Sequence, residues 1–177
     1  MSACGIAESR IDAWYLFSHC FGMEKGSYLL RMKETADSAG TEAYRELVRK
    51  RGERIPLQHL LGRQEFMGLE FLVNGHVLIP RQDTETLVEA VLQETEAMTG
   101  PVRILDLCTG SGCIGISLAW YLKRVCSRAP EVTLSDISPE ALEVAAENVR
   151  RLDCGDVCRI VCSDLFREFE GQQFDRI

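Results

Sequence analysis

The 177 residues contain no long uncharged apolar run, no internal repeat and no low-complexity segment. The first fourteen, MSACGIAESRIDAW, also lack a basic segment followed by an apolar one. A membrane-spanning helix needs roughly 20 consecutive apolar residues, so none is expected, and no secretory signal is read at the start. With 46% of residues hydrophobic, disordered and collagen-like compositions are excluded as well. The expectation is a soluble, cytoplasmic globular protein with no membrane partner.

A disulfide framework is also missing. Several of the eight cysteines lie inside apolar segments and not between loops, which points to reduced thiols. Cys154, Cys158 and Cys162 are spaced by four, as on one helix face, yet VCRIVCSD is β-branched and apolar. On a strand the three would share a face without converging on a point, so no metal site is expected and they read as small buried hydrophobes. His19 and His59 have no metal-ligand neighbours in the sequence and read as helix-packing or surface residues.

The second half lacks an excess of basic charge. Residues 1–75 carry ten basic and ten acidic side chains, whereas residues 76–177 carry ten basic and seventeen acidic. Phosphate contacts need clustered Lys and Arg, so a broad nucleic-acid surface there is disfavoured. The one local cluster, Arg45, Arg49, Lys50, Arg51 and Arg54, is interleaved with Glu46 and Glu53. It reads either as a solvated helix face or as a binding patch.

What is present falls into three parts. Ile6 to Phe21 shows a 3.6-residue apolar rhythm, with Ser9 and Asp12 available as caps and Gly22 as terminator. Further helices are expected over Ser27–Thr35 and Thr41–Arg51, so residues 1–60 form a small helical domain. Residues 61–78 read as a β-hairpin linker, with runs Glu65–Met67 and Leu69–Val73 and a tight turn at Met67–Gly68. In the next segment Pro80 ends the extended run, and Asp83 or Thr84 caps a helix with Glu85 in its first turn.

Residues 79–177 then alternate strand and helix. The strands are Val102–Leu107, Val132–Asp136 and Val157–Ser163, and a fourth begins at Phe174. The helices are Gly112–Val125 and Pro139–Leu152, the second capped by Ser138 with Pro139 at its first position. Such alternation specifies an α/β fold with a parallel, doubly wound sheet.

The loop between the first of these strands and its helix, ILDLCTGSGCIG, has Gly110, Gly112 and Gly115 in G-x-G-x-x-G spacing. A glycine loop between strand and helix sits where such sheets bind ligands, and its spacing would suit a dinucleotide. Asp106, at the end of the same strand, speaks against that ligand because a carboxylate repels a pyrophosphate. S-adenosylmethionine has no phosphate and carries a sulfonium and an ammonium, so it is the expected ligand. Asp136 ends the second strand and can accept hydrogen bonds from both hydroxyls of an adenosine ribose. Asp164 ends the third; it either meets the adenine amino group or caps a helix before Leu165.

With these residues assigned, the whole chain resembles the HemK/PrmC-type protein-(glutamine-N5) methyltransferases, which methylate the Gly-Gly-Gln glutamine of peptide chain release factors. RIPLQHLLGRQEFMGLEF followed by VLIPRQDTETLVE is similar to the family's segment between its helical substrate-recognition domain and its catalytic domain. LDLCTGSGCIGISLA resembles its methyl-donor loop and DISPEALEVAAENV its ribose-binding strand and following helix. The resemblance implies a class I methyltransferase (Rossmann-like) sheet in residues 79–177, using S-adenosyl-L-methionine as cofactor and release factors as partners. Beside Asp106, read above from its charge, it implies a donor site of Cys108, Thr109, Gly110, Ser111, Gly112, Asp136 and Leu165. Cys108 to Gly112 would contact the methionyl portion, Asp136 the ribose, and Leu165 the adenine pocket. Arg81 and Glu85 would either order that pocket or form a structural ion pair and helix cap.

The sequence departs from the family in one respect: no Asn-Pro-Pro-Tyr, the motif that holds the substrate amide, occurs in the 177 residues. Only about four of a typical seven strands are expected, so the sheet reads as incomplete at its C-terminus. The expectation is a truncated chain with partial or no activity by itself and no catalytic residues of its own. Two alternatives stay open: an adenine-N6 nucleic-acid methyltransferase, and a non-catalytic binding fragment.

Overall fold

In the computed structural model, which describes residues 1, 4–95, 98, 100–124 and 130–177, the chain divides into two compact units, Met1–Gly62 and Arg63–Ile177.

The first unit is helical: α1 Ser9–Phe21, α2 Lys25–Arg31, α3 Ser38–Gly52 and the short α4 Leu57–Leu61. Gly22 closes α1 in the left-handed conformation, as its place in the sequence suggested. The start of α1 differs from expectation. Neither Ser9 nor Asp12 caps it; Asp12 is buried and its carboxylate accepts a 2.8 Å hydrogen bond from Arg51 Nε of α3. A carboxylate one turn into a helix can face inward, and here a guanidinium on the neighbouring helix meets it. Helix α3 begins three residues earlier than the apolar rhythm indicated because Asp37 caps it, its carboxylate accepting from Gly40 N–H at 2.7 Å. Helix α4 falls inside a stretch without a readable period; Pro56 starts it and Gly62 ends it.

Around α1 the rings of Trp14, Phe17, Phe21, Tyr28 and Tyr44 form a connected cluster with centroids 4.6–6.1 Å apart. The basic run of α3 is consumed locally. Arg49 pairs with Glu46 and Glu53, Lys50 with Glu46, and Arg51 with Asp12. Arg54 donates to the Cys4 carbonyl. Arg49 and Lys50 thus belong to a solvated, ion-paired face.

The second unit opens with the hairpin, β1 Arg63–Phe66 and β2 Leu69–Leu72, antiparallel with Phe66 opposite Leu69 and a two-residue turn at Met67–Gly68. A 3₁₀ turn at Gln82–Thr84 leads into α5 Glu85–Thr95. The parallel sheet is β3 Val102–Leu107, β4 Pro130–Asp136 and β5 Cys158–Cys162, in the order β3-β4-β5, with α6 Cys113–Arg124 and α7 Pro139–Arg151 as crossovers. The expected end of α6 at Val125 lies outside the described residues. Helix α7 starts as expected, with Ser138 Oγ accepting from Ala141 N–H at 3.1 Å.

The fourth strand is reduced to a single parallel bridge, Arg176 beside Ile104 of β3, with Leu105 N–H donating to the Arg176 carbonyl at 3.0 Å. Val132 and Leu134 of β4 share one core with Ile116, Ala119 and Leu122 of α6, Ala145 and Val149 of α7, and Val88 of α5. Phe66, Leu69 and Phe71 of the hairpin belong to that same core, so the hairpin is an integral part of the second unit. The seven described cysteines are free thiols; Cys126 lies outside the described residues. No helix among the described residues is long and apolar enough to cross a membrane.

Replacing Asp12 by Ala strands the Arg51 guanidinium. The expected outcome is a loss of about 2 kcal/mol, seen as a lower urea midpoint with an unchanged slope, since hydrogen bonds to charged groups contribute on that scale.

Candidate functional site

Only five residues, Cys108 to Gly112, join β3 to α6, and three of them hold positive φ: Cys108 at 60°, Gly110 at 54° and Gly112 at 80°. A loop so short must reverse sharply, and hydrogen bonds hold it at several points. Thr109 N–H donates to the Ser135 carbonyl of β4 at 2.8 Å, and Gly112 N–H donates to the Thr109 carbonyl at 2.9 Å. Gly110 N–H donates to Asp136 Oδ2 at 2.9 Å.

Asp106 is turned into the protein. It is buried, and one oxygen, Oδ2, accepts both the Thr109 hydroxyl at 2.6 Å and the Gly115 N–H at 2.8 Å. Gly115 is the third residue of α6, so its N–H is one of those a helix start leaves without an internal partner. A strand carboxylate thus anchors the helix end. Burial pushes the Asp106 carboxyl above the ordinary carboxylate range; the bonds from Thr109 and Gly115 oppose the shift and the charge of Asp136 adds to it.

Asp136 is half-buried at the end of β4 and receives Gly110 N–H on Oδ2 and Ser138 N–H on Oδ1, the latter at 3.1 Å. Each ionised oxygen retains a lone pair for a further donor. Of the other loop residues named from the sequence, Thr109 and Ser111 are buried, Gly112 is buried, and Cys108 is exposed. Nothing lies within 4 Å of where a Gly110 side chain would begin, so its place is open space.

Leu165, φ 51°, is 54% exposed just beyond β5, and its carbonyl accepts from Ser163 Oγ at 2.9 Å. Asp164 pairs with Arg167 at 3.2 Å and caps nothing with its side chain. Ser163 Oγ meets Glu168 N–H instead. Glu85 accepts from Met67 N–H at 2.7 Å, and no ion pair joins it to Arg81 among the described residues.

Two residues escaped the sequence reading. Ile137, directly after Asp136, is 66% exposed and offers a second apolar surface at the strand ends beside Leu165. Asn148 is fully buried, bonded to the Ser111 carbonyl and to Leu72. Its signal was a polar residue on the apolar stripe of α7 that includes Ala141, Val144 and Ala145.

The three spaced cysteines separate. Cys154 is fully buried, the Cys158 thiol is pushed up to about 12 by burial, and Cys162 is exposed, its Sγ 3.8 Å from the Ile137 carbonyl. Among the described residues no group of three or more His, Cys, Asp or Glu could hold a metal ion.

The family model described as the methyltransferase small domain matches residues 82–177, which include the glycine loop and all three strand-end carboxylates. The chain belongs to the methyltransferase small domain family. The PrmC N-terminal domain model matches residues 1–62. Among curated relatives, the release factor glutamine methyltransferase of Moorella thermoacetica is 37% identical over 177 residues, covering all of this chain and 60% of the relative. That of Koribacter versatilis is 39% identical over 181 residues, covering all of this chain and 61% of the relative. The chain therefore spans about 60% of the length of these relatives. Among solved structures, the SAM-dependent methyltransferase from Agrobacterium tumefaciens is similar with a TM-score of 0.52 and 21% identity, over 64% of this chain and 37% of that one, which bears on the fold alone.

In this methyltransferase small domain the raised Asp106 carboxyl sets a sign for stability against pH. The folded chain binds that proton more tightly than the unfolded chain, so its contribution is present at low pH. It is lost as pH rises from the ordinary carboxylate range through the raised value. Asp106→Asn retains one acceptor oxygen and removes the titration. The unfolding free energy of D106N relative to the parent is therefore expected to increase as pH rises from 4 to 8 in urea titrations; a constant difference would contradict it.

Proposed function

We propose that this chain binds S-adenosyl-L-methionine on the Cys108–Gly112 loop and serves the methylation of the glutamine amide in the Gly-Gly-Gln sequence of peptide chain release factors. The observation that carries the reading is the loop itself: open space at Gly110 beside the strand-end carboxylate of Asp136, with no basic residue between Asp106 and Cys113. A pyrophosphate there would meet the like charge of Asp136 with no Arg or Lys in the loop to offset it, whereas a sulfonium and an ammonium are attracted. The relatives' name, release factor glutamine methyltransferase, supports the choice of substrate.

The donor, when bound, supplies an electrophilic methyl group. The chain's own residues bind and orient it. Asp136 holds the ribose hydroxyls with the lone pairs left free by Gly110 and Ser138. The backbone of Cys108 to Gly112 lies along the methionyl portion, and the exposed Leu165 and Ile137 shield the adenine from water. A glutamine amide nitrogen is a poor nucleophile because its lone pair is delocalised, so transfer also needs carbonyl acceptors that fix its hydrogens in line with the methyl group. The residues named here account for the donor side of that arrangement. Residues 1–60 are assigned recognition of the release factor, a protein partner in the cytoplasm, without direct contact to nucleic acid.

Calorimetric titration is expected to show binding of S-adenosylmethionine and none of NAD; the reverse result would overturn the reading. Asp136→Ala is expected to weaken donor binding at least tenfold, about 1.4 kcal/mol. A release-factor fragment bearing Gly-Gly-Gln is expected to bind the chain, and an adenine-containing oligonucleotide is not. Preference for the oligonucleotide would move the substrate to nucleic acid.

A further inference from the structure

The side chain of Asn148 is fully buried and makes three hydrogen bonds. Its Nδ2 donates to the Leu72 carbonyl at 3.0 Å and to the Ser111 carbonyl at 2.9 Å, and its Oδ1 accepts from Leu72 N–H at 2.7 Å. Both Nδ2 hydrogens are used. Leu72 sits opposite Arg63 in the hairpin, and its N–H and C=O meet Asn148 as they would meet a peptide unit of a further strand. One amide side chain thus completes the edge of β2 and, in the same plane, reaches the glycine loop.

The loop needs such a hold. Ser111 lies between Gly110 and Gly112, both at positive φ, where side-chain sterics do little to fix a peptide plane. The Ser111–Gly112 peptide is pinned at both ends: Asn148 takes its carbonyl, and its N–H goes to the Thr109 carbonyl at 2.9 Å. If the Asn148 bond is lost, the plane can rotate and carry the neighbouring Gly110 N–H away from Asp136.

We infer that Asn148 is a positioning residue that ties the conformation of the ligand loop to the β1–β2 hairpin. Donor affinity then depends on how the hairpin is seated. This rests on the loop being the S-adenosylmethionine site.

Asn148→Asp is isosteric, keeps the acceptor for Leu72 N–H and removes both donors. Val149→Ala, at a buried neighbour on the same helix, removes packing and leaves the three Asn148 hydrogen bonds in place. Calorimetry with S-adenosylmethionine well below the unfolding temperature is expected to give a Kd raised at least tenfold for N148D. For V149A the thermal midpoint is expected to fall while Kd stays within twofold of the parent. If N148D does not fold, amide exchange on the parent chain decides: saturating S-adenosylmethionine is expected to slow the Leu72 amide more than the amides of α5. The inference is overturned if N148D binds like the parent, if V149A loses affinity equally, or if the Leu72 amide responds no more than α5. Failure of the parent chain to bind at all would instead overturn the donor-site reading.

Discussion

Helix α6 can lie where it does only because Gly115 has no side chain. A Cβ there would come within 2.4 Å of Leu134 Cδ2 and 2.9 Å of both Asp106 Cβ and Oδ2, distances that real contacts do not reach. The same residue's N–H is held by Asp106. Helix start and strand end are therefore locked together by one close approach and one charge-assisted hydrogen bond. Once that junction is set, five residues must cover the distance from Leu107 to Cys113, and the left-handed turns at Cys108, Gly110 and Gly112 follow. The third glycine of the motif serves packing, and the first has open space where a side chain would begin.

The hairpin extends this logic to the other side of α6. Its turn residue Met67 has φ 51°, a conformation that costs a side-chain-bearing residue about 1–2 kcal/mol. Two hydrogen bonds oppose that cost. Glu85 at the start of α5 takes the Met67 N–H, and Tyr121 of α6 donates to its carbonyl at 3.0 Å. Phe66, Leu69 and Phe71 then bury themselves in the core of the sheet domain. With Asn148 at its open edge, the hairpin is gripped by α5, α6 and α7 together.

The βαβ rhythm, the Ser138 cap, the two-residue turn at Met67–Gly68 and the position of the glycine loop were all legible in the sequence, because each is written in local periodicity or turn chemistry. What escaped it is tertiary. Asp12 looks like a helix cap from its position and becomes a buried ion-pair partner only because α3 brings Arg51 against it. The hairpin reads as a linker because its core partners lie far along the chain. Asp106 reads as an outward charge that selects the ligand, yet its Oδ2 serves Thr109 and Gly115. Asn148 is one polar residue in an amphipathic helix until Leu72 and Ser111 are placed beside it. No local pattern carries a contact 76 residues apart.

The two carboxylates at the loop divide their work by burial. Asp106, enclosed, gives its electrons to the protein, and the low-dielectric surroundings penalise its charge. Asp136, half-buried, bonds the loop with one oxygen and the start of α7 with the other while still facing outward. Their mutual repulsion is part of the site: the charge of Asp136 raises Asp106 further. Negative charge added beside the loop makes Asp106 costlier to keep ionised, and the bonds it holds weaken. Positive charge does the opposite, favouring the ionised Asp106 and its bonds to Thr109 and Gly115. The charge placed beside the loop is thus tied to the stability of the loop itself, which glycine spacing alone does not specify.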